Sequence, residues 1–176
     1  MSVDFLYLLW NSDEPQCLIG RVSKYSTGTM GYDKGYILKE NNIFNASPII
    51  RNSDDPDFPE LPIVGYLPLF TIGASLFKSG YTIHVTCGIL NSFLEIQRFV
   101  EDGITYTKFN VWEANLVSRK GDSSGPVFKF VLGEEGVRIV GMVISVHDAN
   151  NKTAFHPTNV ILQRDDGSLM DLITEP

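Results

Sequence analysis

A chain of 176 residues, 43% of them hydrophobic, has room for one domain or two small joined halves and enough apolar mass for an ordinary core, which argues against disorder. A net charge of −7 and a pI near 4.9, with no basic run longer than Arg119-Lys120, argue against nucleic acid or an anionic membrane surface as a partner. Cys17 and Cys87 lie far apart, with neither C-x-x-C spacing nor a histidine pair beside them, so no metal and no other cofactor is expected.

At the N-terminus the apolar run from Phe5 to Trp10 is too short for a secretory core and is preceded by Asp4, so no signal peptide is visible; no stretch approaches the length of a membrane span. Strand-like runs then follow in order over 4–10, 18–25, 34–38, 61–70, 80–90, 104–112, 125–132 and 137–146. Each is rich in Val, Ile, Tyr, Phe or Thr and bounded by Gly, Pro, Asn or Asp. Helical periodicity is nearly absent, the exception being a short helix expected between about Pro157 and Ile173, opened by Pro157-Thr158-Asn159. The pattern predicts an all-β protein closed into barrels or a sandwich. Arg51–Pro62 is acidic and carries prolines, the composition of an exposed connection, and a boundary is placed there between halves 1–60 and 61–176.

One stretch carries chemistry. A serine hydroxyl is a weak nucleophile, and an enzyme that uses one must expose it on a tight turn, supply a base and aim donors at the developing oxyanion. Gly121-Asp122-Ser123-Ser124-Gly125-Pro126 meets two of these needs. Gly121 is free to adopt a backbone conformation closed to residues with a Cβ, which sets its N–H beside that of Ser123 as an oxyanion hole. Asp122 is suited to be drawn inward as a buried charge that holds the loop, and Gly125-Pro126 ends the turn before a strand. Acidic pairs such as Asp54-Asp55 fall in the connecting segment and read as a solvated face, which leaves glycosidase chemistry with little support.

The hexapeptide and the strand after it, "GDSSGPVF", resemble the nucleophile segment of the chymotrypsin-like serine peptidases, closest in look to the streptogrisin and alpha-lytic type and their fungal relatives. "FKSGYTIHVTCG" (77–88) is similar to the segment that opens the family's second barrel. "MGYDKGYI" (30–37) is similar to the stretch around its catalytic aspartate, and "FHPTNVIL" (155–162) to the approach to its terminal helix. The resemblance implies a double β-barrel with the first barrel partial and a short C-terminal helix. It also implies Ser123 as nucleophile, Gly121 and Ser123 as oxyanion donors, Asp33 as the acid that orients the base, peptide or protein substrates and a secreted location.

The family's base is a histidine N-terminal to the aspartate, and residues 1 to 32 contain none. The expectation is therefore an N-terminally incomplete member, inert toward peptides as it stands, with a catalytically dead peptide- or protein-binding module as the alternative and an accidental motif in an unrelated barrel ranked last. His84 is expected to be structural or exposed, and His156 to be a surface or capping residue. His147 follows a strand that resembles the substrate-pocket strand, so it either contacts a substrate side chain or stands in an exposed loop. Ser145 is the nearest match to a substrate-side serine on that strand. Phe77 stands where the family's cysteine would pair with Cys87, so the resemblance implies no disulfide there and a buried free Cys87.

Overall fold

The computed structural model of this chain describes residues 4–7, 14, 17–26, 30–43, 45–147 and 151–174, with the side chains of 24–26, 30, 94, 95, 101 and 147 outside the description. The strands are β1 Asp4–Tyr7, β2 Cys17–Ser26, β3 Met30–Gly31, β4 Lys34–Lys39, β5 Ile49–Arg51, β6 Glu60–Tyr66, β7 Ser75–Gly80, β8 His84–Glu101, β9 Ile104–Ala114, β10 Pro126–Phe130, β11 Val137–His147 and β12 Lys152–Pro157. A single helix, α1, covers Thr158–Leu162.

Six strands close on themselves. β7 pairs β8, β8 pairs β9, β9 pairs β12, β12 pairs β11, β11 pairs β10, and β10 returns to β7, every step antiparallel. Closure removes the open edges that a six-stranded sheet would expose. Inside the ring lie Leu76, Leu90, Leu116, Val127, Val143 and Phe155, all fully or almost fully buried. Each such side chain contributes roughly 1.5–3 kcal/mol by leaving water, which makes this ring the main source of stability. A smaller cluster of Ile50, Leu61, Phe128 and Val137 packs the β5–β6 hairpin against the ring, with β6 running parallel to β11. The polar loop 52–59 that joins β5 to β6 is tied by Asn52 Nδ2 donating to the Phe58 carbonyl (2.8 Å) and by Asp55 Oδ1 accepting the Asp57 N–H (3.0 Å).

The first strands are arranged differently. β1, β2 and β4 form a separate three-stranded antiparallel sheet, in which all of β1 is exposed. Backbone pairing between this region and the ring comes through β3, whose Met30 and Gly31 lie parallel to Thr107 and Lys108 of β9.

Three sequence expectations change. The run 80–90 is not one strand: Tyr81–Ile83 form a turn, and β8 starts at His84 with φ +49 and continues far beyond Leu90, to Glu101. Its hairpin to β9 turns on Asp102-Gly103, both at positive φ (+50 and +76), the backbone that two-residue hairpins favour. The expected helix stops at Leu162. Beyond it Asp166 Oδ1 accepts the Ser168 N–H and hydroxyl (2.9 and 2.7 Å), and Gly167 turns at φ +83, so local turn bonds replace helical ones. Finally, Cys87 is exposed, not buried. It pairs in register with Phe77 across β7–β8, while the neighbouring Leu76–Gly88 pair faces the core, so alternation sends Cys87 outward. Phe77 packs instead against Phe128 and Phe130 (centroids 5.7 and 5.0 Å apart), an apolar contact at the point where a disulfide was not expected. Both cysteines are free.

Candidate active site

The serine loop is built around a buried charge. Asp122 is fully buried, and its carboxylate receives four donors: Lys78 Nζ (2.6 Å), the N–H groups of Thr82 (2.7 Å) and Ile83 (3.1 Å), and the N–H of Arg119 (3.0 Å). Burial alone would push this carboxyl up, but the Lys78 ammonium and the backbone donors outweigh it and hold it below the ordinary carboxylate range. Lys78, itself fully buried, is pulled below its ordinary value by burial, against the pull of Asp122, and also donates to the His84 carbonyl (3.1 Å). The pair is ionised and fully partnered, which is the condition under which a buried ion pair is tolerated.

That anchor fixes the turn above it. Gly121 sits at φ +105, where a Cβ would come within 2.4 Å of Thr82 Oγ1. Gly125 approaches the Ser79 carbonyl so closely that a Cβ would lie 2.2 Å from the oxygen. The far side of the turn is stitched to β11: the Ser124 N–H donates to the Val143 carbonyl (2.8 Å) and the Val143 N–H to the Gly125 carbonyl (2.9 Å). Ser123 is left exposed at the crest. Among the described residues its hydroxyl has no hydrogen-bond partner, and the N–H groups of Gly121 and Ser123 donate to nothing, whereas those of Asp122, Ser124 and Gly125 are all used. Ser124 holds φ +68 with a side chain, a left-handed conformation that costs of order 1 kcal/mol or more.

Asp33 reaches the same place from the other half. It lies between β3 and β4, and its N–H donates to His156 Nε2 (2.9 Å). Since Nε2 accepts, Nδ1 carries the proton and donates to the Asn110 carbonyl (3.1 Å). His156 is fully buried, which lowers its pKa despite the Asn110 bond and nearby Asp33, so it is a neutral peg. This corrects the expectation of a surface or capping histidine: His156 is on β12, two residues before α1, and pairs in register with Met142 of the neighbouring strand β11. Lys34 and Tyr36 clamp β4 to the end of α1, Lys34 Nζ donating to the Val160 carbonyl (2.9 Å) and Tyr36 Oη to the Gln163 carbonyl (2.7 Å). The Asp33 carboxylate is 40% exposed and stands 4.0 Å from Lys108 Nζ.

Ser123 and Asp33 thus line one cleft of about 460 Å³, walled by Phe5, Val22, Ile37 and residues Met142–Ile144 of β11. A second groove of about 300 Å³ lies on the other side of Ser123, along β5 and the end of β7. Ser145 and His147 lie beyond the cleft wall on the same strand. Ser145 Oγ is buried with no partner among the described residues; the backbone of His147 pairs with Lys152, and its side chain is outside the description. His84 bonds through Nδ1 to both carboxylate oxygens of Asp54 (2.8 Å each). Sequence reading missed two residues that build the site: Lys78, seen only as part of a motif, and His156, whose partners are 46 and 123 positions away.

The closed six-stranded ring and the strands that precede it match solved structures. Thermobifida fusca Protease A superposes with a TM-score of 0.65 at 21% identity, over 81% of this chain and 69% of that one. This chain has the chymotrypsin-like serine protease fold. Within that fold, the crystal structure of a Cellulomonas bogoriensis chymotrypsin gives a TM-score of 0.65 at 17% identity, covering 87% of this chain and 76% of its own. Nocardiopsis protease gives 0.61 at 16%, covering 80% and 68%. No family model and no curated protein matches the chain by sequence.

Proposed function

We propose that this protein carries a serine-endopeptidase-like site at Ser123 that binds an extended peptide but turns it over poorly, because no histidine of the 176 residues serves as its base. The observation that carries this reading is the exposed, unpartnered Ser123 hydroxyl on a rigid turn beside two unused N–H groups. Meanwhile the two described histidine rings are spent on Asp54 and on the Asp33–Asn110 peg. His147 is four residues past Val143 on β11, and its side chain is outside the description. In a complete constellation Ser123 would form the acyl-enzyme, Gly121 and Ser123 N–H would hold the oxyanion, and Asp33 would orient the base. Ser145 and His147 extend the peptide-binding strand. The secreted location expected from the resemblance belongs to this reading; no helix among the described residues is long and apolar enough to cross a membrane.

A second reading, a module that only binds a peptide or protein, is favoured by Ser124, a residue with a side chain held at φ +68 next to the nucleophile. One experiment serves both. Fluorescence anisotropy with a set of labelled peptides is expected to show binding that Ile37→Arg, an exposed change in the cleft wall, weakens at least about tenfold. Hydrolysis of the bound peptides is expected to stay near background. Peptides that do not bind, or bind equally to the variant, would refute the cleft; rapid Ser123-dependent cleavage would refute the missing base.

A further inference from the structure

The hairpin of β8 and β9 runs well beyond the ring. β7 leaves β8 at Ile89, while the pairing of β8 with β9 keeps one register over 92–101. Over 91–101, about 33 Å of extended chain, the other edge of β8 pairs with no strand among the described residues and presents a row of backbone N–H and C=O groups to a neighbour. Edge strands are commonly blunted by lysine or proline. This stretch contains neither, has no glycine, and carries Ile96 and Val100 at 53% and 69% exposure.

We propose that this edge is a dimerisation surface, on which β8 pairs antiparallel with β8 of a second copy of this chain about a two-fold axis at Ile96. The sequence of the edge selects both the occupant and the register. A two-fold axis normal to the sheet keeps every side chain on its own face, so residues that oppose each other must be an even number of positions apart. Centred on Glu95 or Arg98, the pairing sets like charges against each other; centred on 94 or 97, it sets Phe93 against an acid. Centred on Ile96, it sets Ile96 against Ile96, Phe93 against Phe99 and Ser92 against Val100, with no like charges opposed.

That register also joins two aromatic pairs already present in each copy. Phe93 opposes Trp112 across β8–β9 and meets it edge to face (centroids 4.9 Å apart), and Phe99 opposes Tyr106 and stacks on it (5.2 Å). With Phe93 of one copy beside Phe99 of the other, each four-stranded sheet of order β9-β8-β8-β9 carries a row Trp112, Phe93, Phe99, Tyr106 and its two-fold mate. Backbone bonds then supply the attachment, and the aromatic rows and the central Ile96 pair supply the specificity.

Sedimentation velocity of the full chain over a range of concentrations tests this first. Reversible association to twice the 19.7 kDa of one chain is expected. Ile96→Lys puts two like charges at the axis and should weaken it at least about tenfold, with the far-UV circular dichroism of the parent retained. A cysteine scan reads the register independently, in a chain whose exposed Cys17 and Cys87 are both replaced by serine. Ile96→Cys should crosslink one copy to the other on mild oxidation, because directly opposed Cα atoms lie about 4.5–5.5 Å apart, within disulfide reach. Val100→Cys should not, because the two copies of that position would stand about 26 Å apart. A chain that stays monomeric up to its solubility limit overturns the proposal and leaves the edge to a strand of another protein. A dimer that Ile96→Lys does not weaken overturns the edge as its interface, and crosslinking that is equal at the two positions, or absent from both, overturns the register.

Discussion

The two parts of the molecule that contribute to the cleft are held in very different ways. The ring that presents Ser123 is closed, with a core of fully buried side chains and a four-donor ion pair beneath the serine loop. The β1–β2–β4 sheet that accompanies Asp33 exposes Phe5, Leu6, Ile37 and Leu38 and has no buried cluster of its own among the described residues. Asp33 is nevertheless well placed, because its position is set by the ring: by the His156 peg, by β3 against β9, and by Lys34 and Tyr36 on the end of α1. A site spread over two regions can thus be ordered from one of them, with the second supplying a residue but little stability.

The largest test of this contrast is Lys78→Ala. It strands the Asp122 charge in the interior and should cost about 3–5 kcal/mol by urea denaturation, with the serine loop disordered in hydrogen exchange. A loss below about 1 kcal/mol would mean that the loop does not depend on this pair.

His156→Gln should cost less, about 1–3 kcal/mol, by weakening the bonds to the Asp33 N–H and the Asn110 carbonyl. It should also change the pH dependence. Because the folded chain holds this imidazole below its ordinary 6.5, the unfolded chain binds the proton first. The parent is therefore fully stabilised above about pH 6.5 and loses stability as the pH falls from there toward the folded value. Denaturation midpoints measured between neutral and mildly acid pH should show that slope in the parent and a smaller one in the variant.

The smallest effect is expected in the outer sheet. Leu38→Ser, at a position 61% exposed, should stay within about 0.5 kcal/mol. A larger loss would show that the sheet is covered in solution and would narrow the contrast between the two regions.

How much of this was legible in the sequence follows the same division between local and distant causes. The Gly-Asp-Ser-Ser-Gly-Pro turn could be read because each residue's role is set by its own backbone freedom or charge, and Gly121 at φ +105 and the buried Asp122 agree with that reading. Strands such as β10 and β11 were visible through their β-branched and aromatic content bounded by glycine and proline. His156 was misread because its environment depends on Asn110 and Asp33, residues that only ring closure brings near. Cys87 was misread because its face is fixed by the Leu76–Gly88 register, and β12 was overlooked because Pro157 suggested a helix start. The helix itself was overextended across Asp165-Asp166-Gly167-Ser168, a turn sequence whose side-chain bonds were underrated.

The central claim, a well-built serine turn without a base, is tested most directly by labelling the 176-residue chain with a fluorophosphonate probe and comparing it with Ser123→Ala. The account predicts no Ser123-dependent labelling. Prompt labelling of the parent that disappears in Ser123→Ala would show that the chain activates its own serine, and would contradict it.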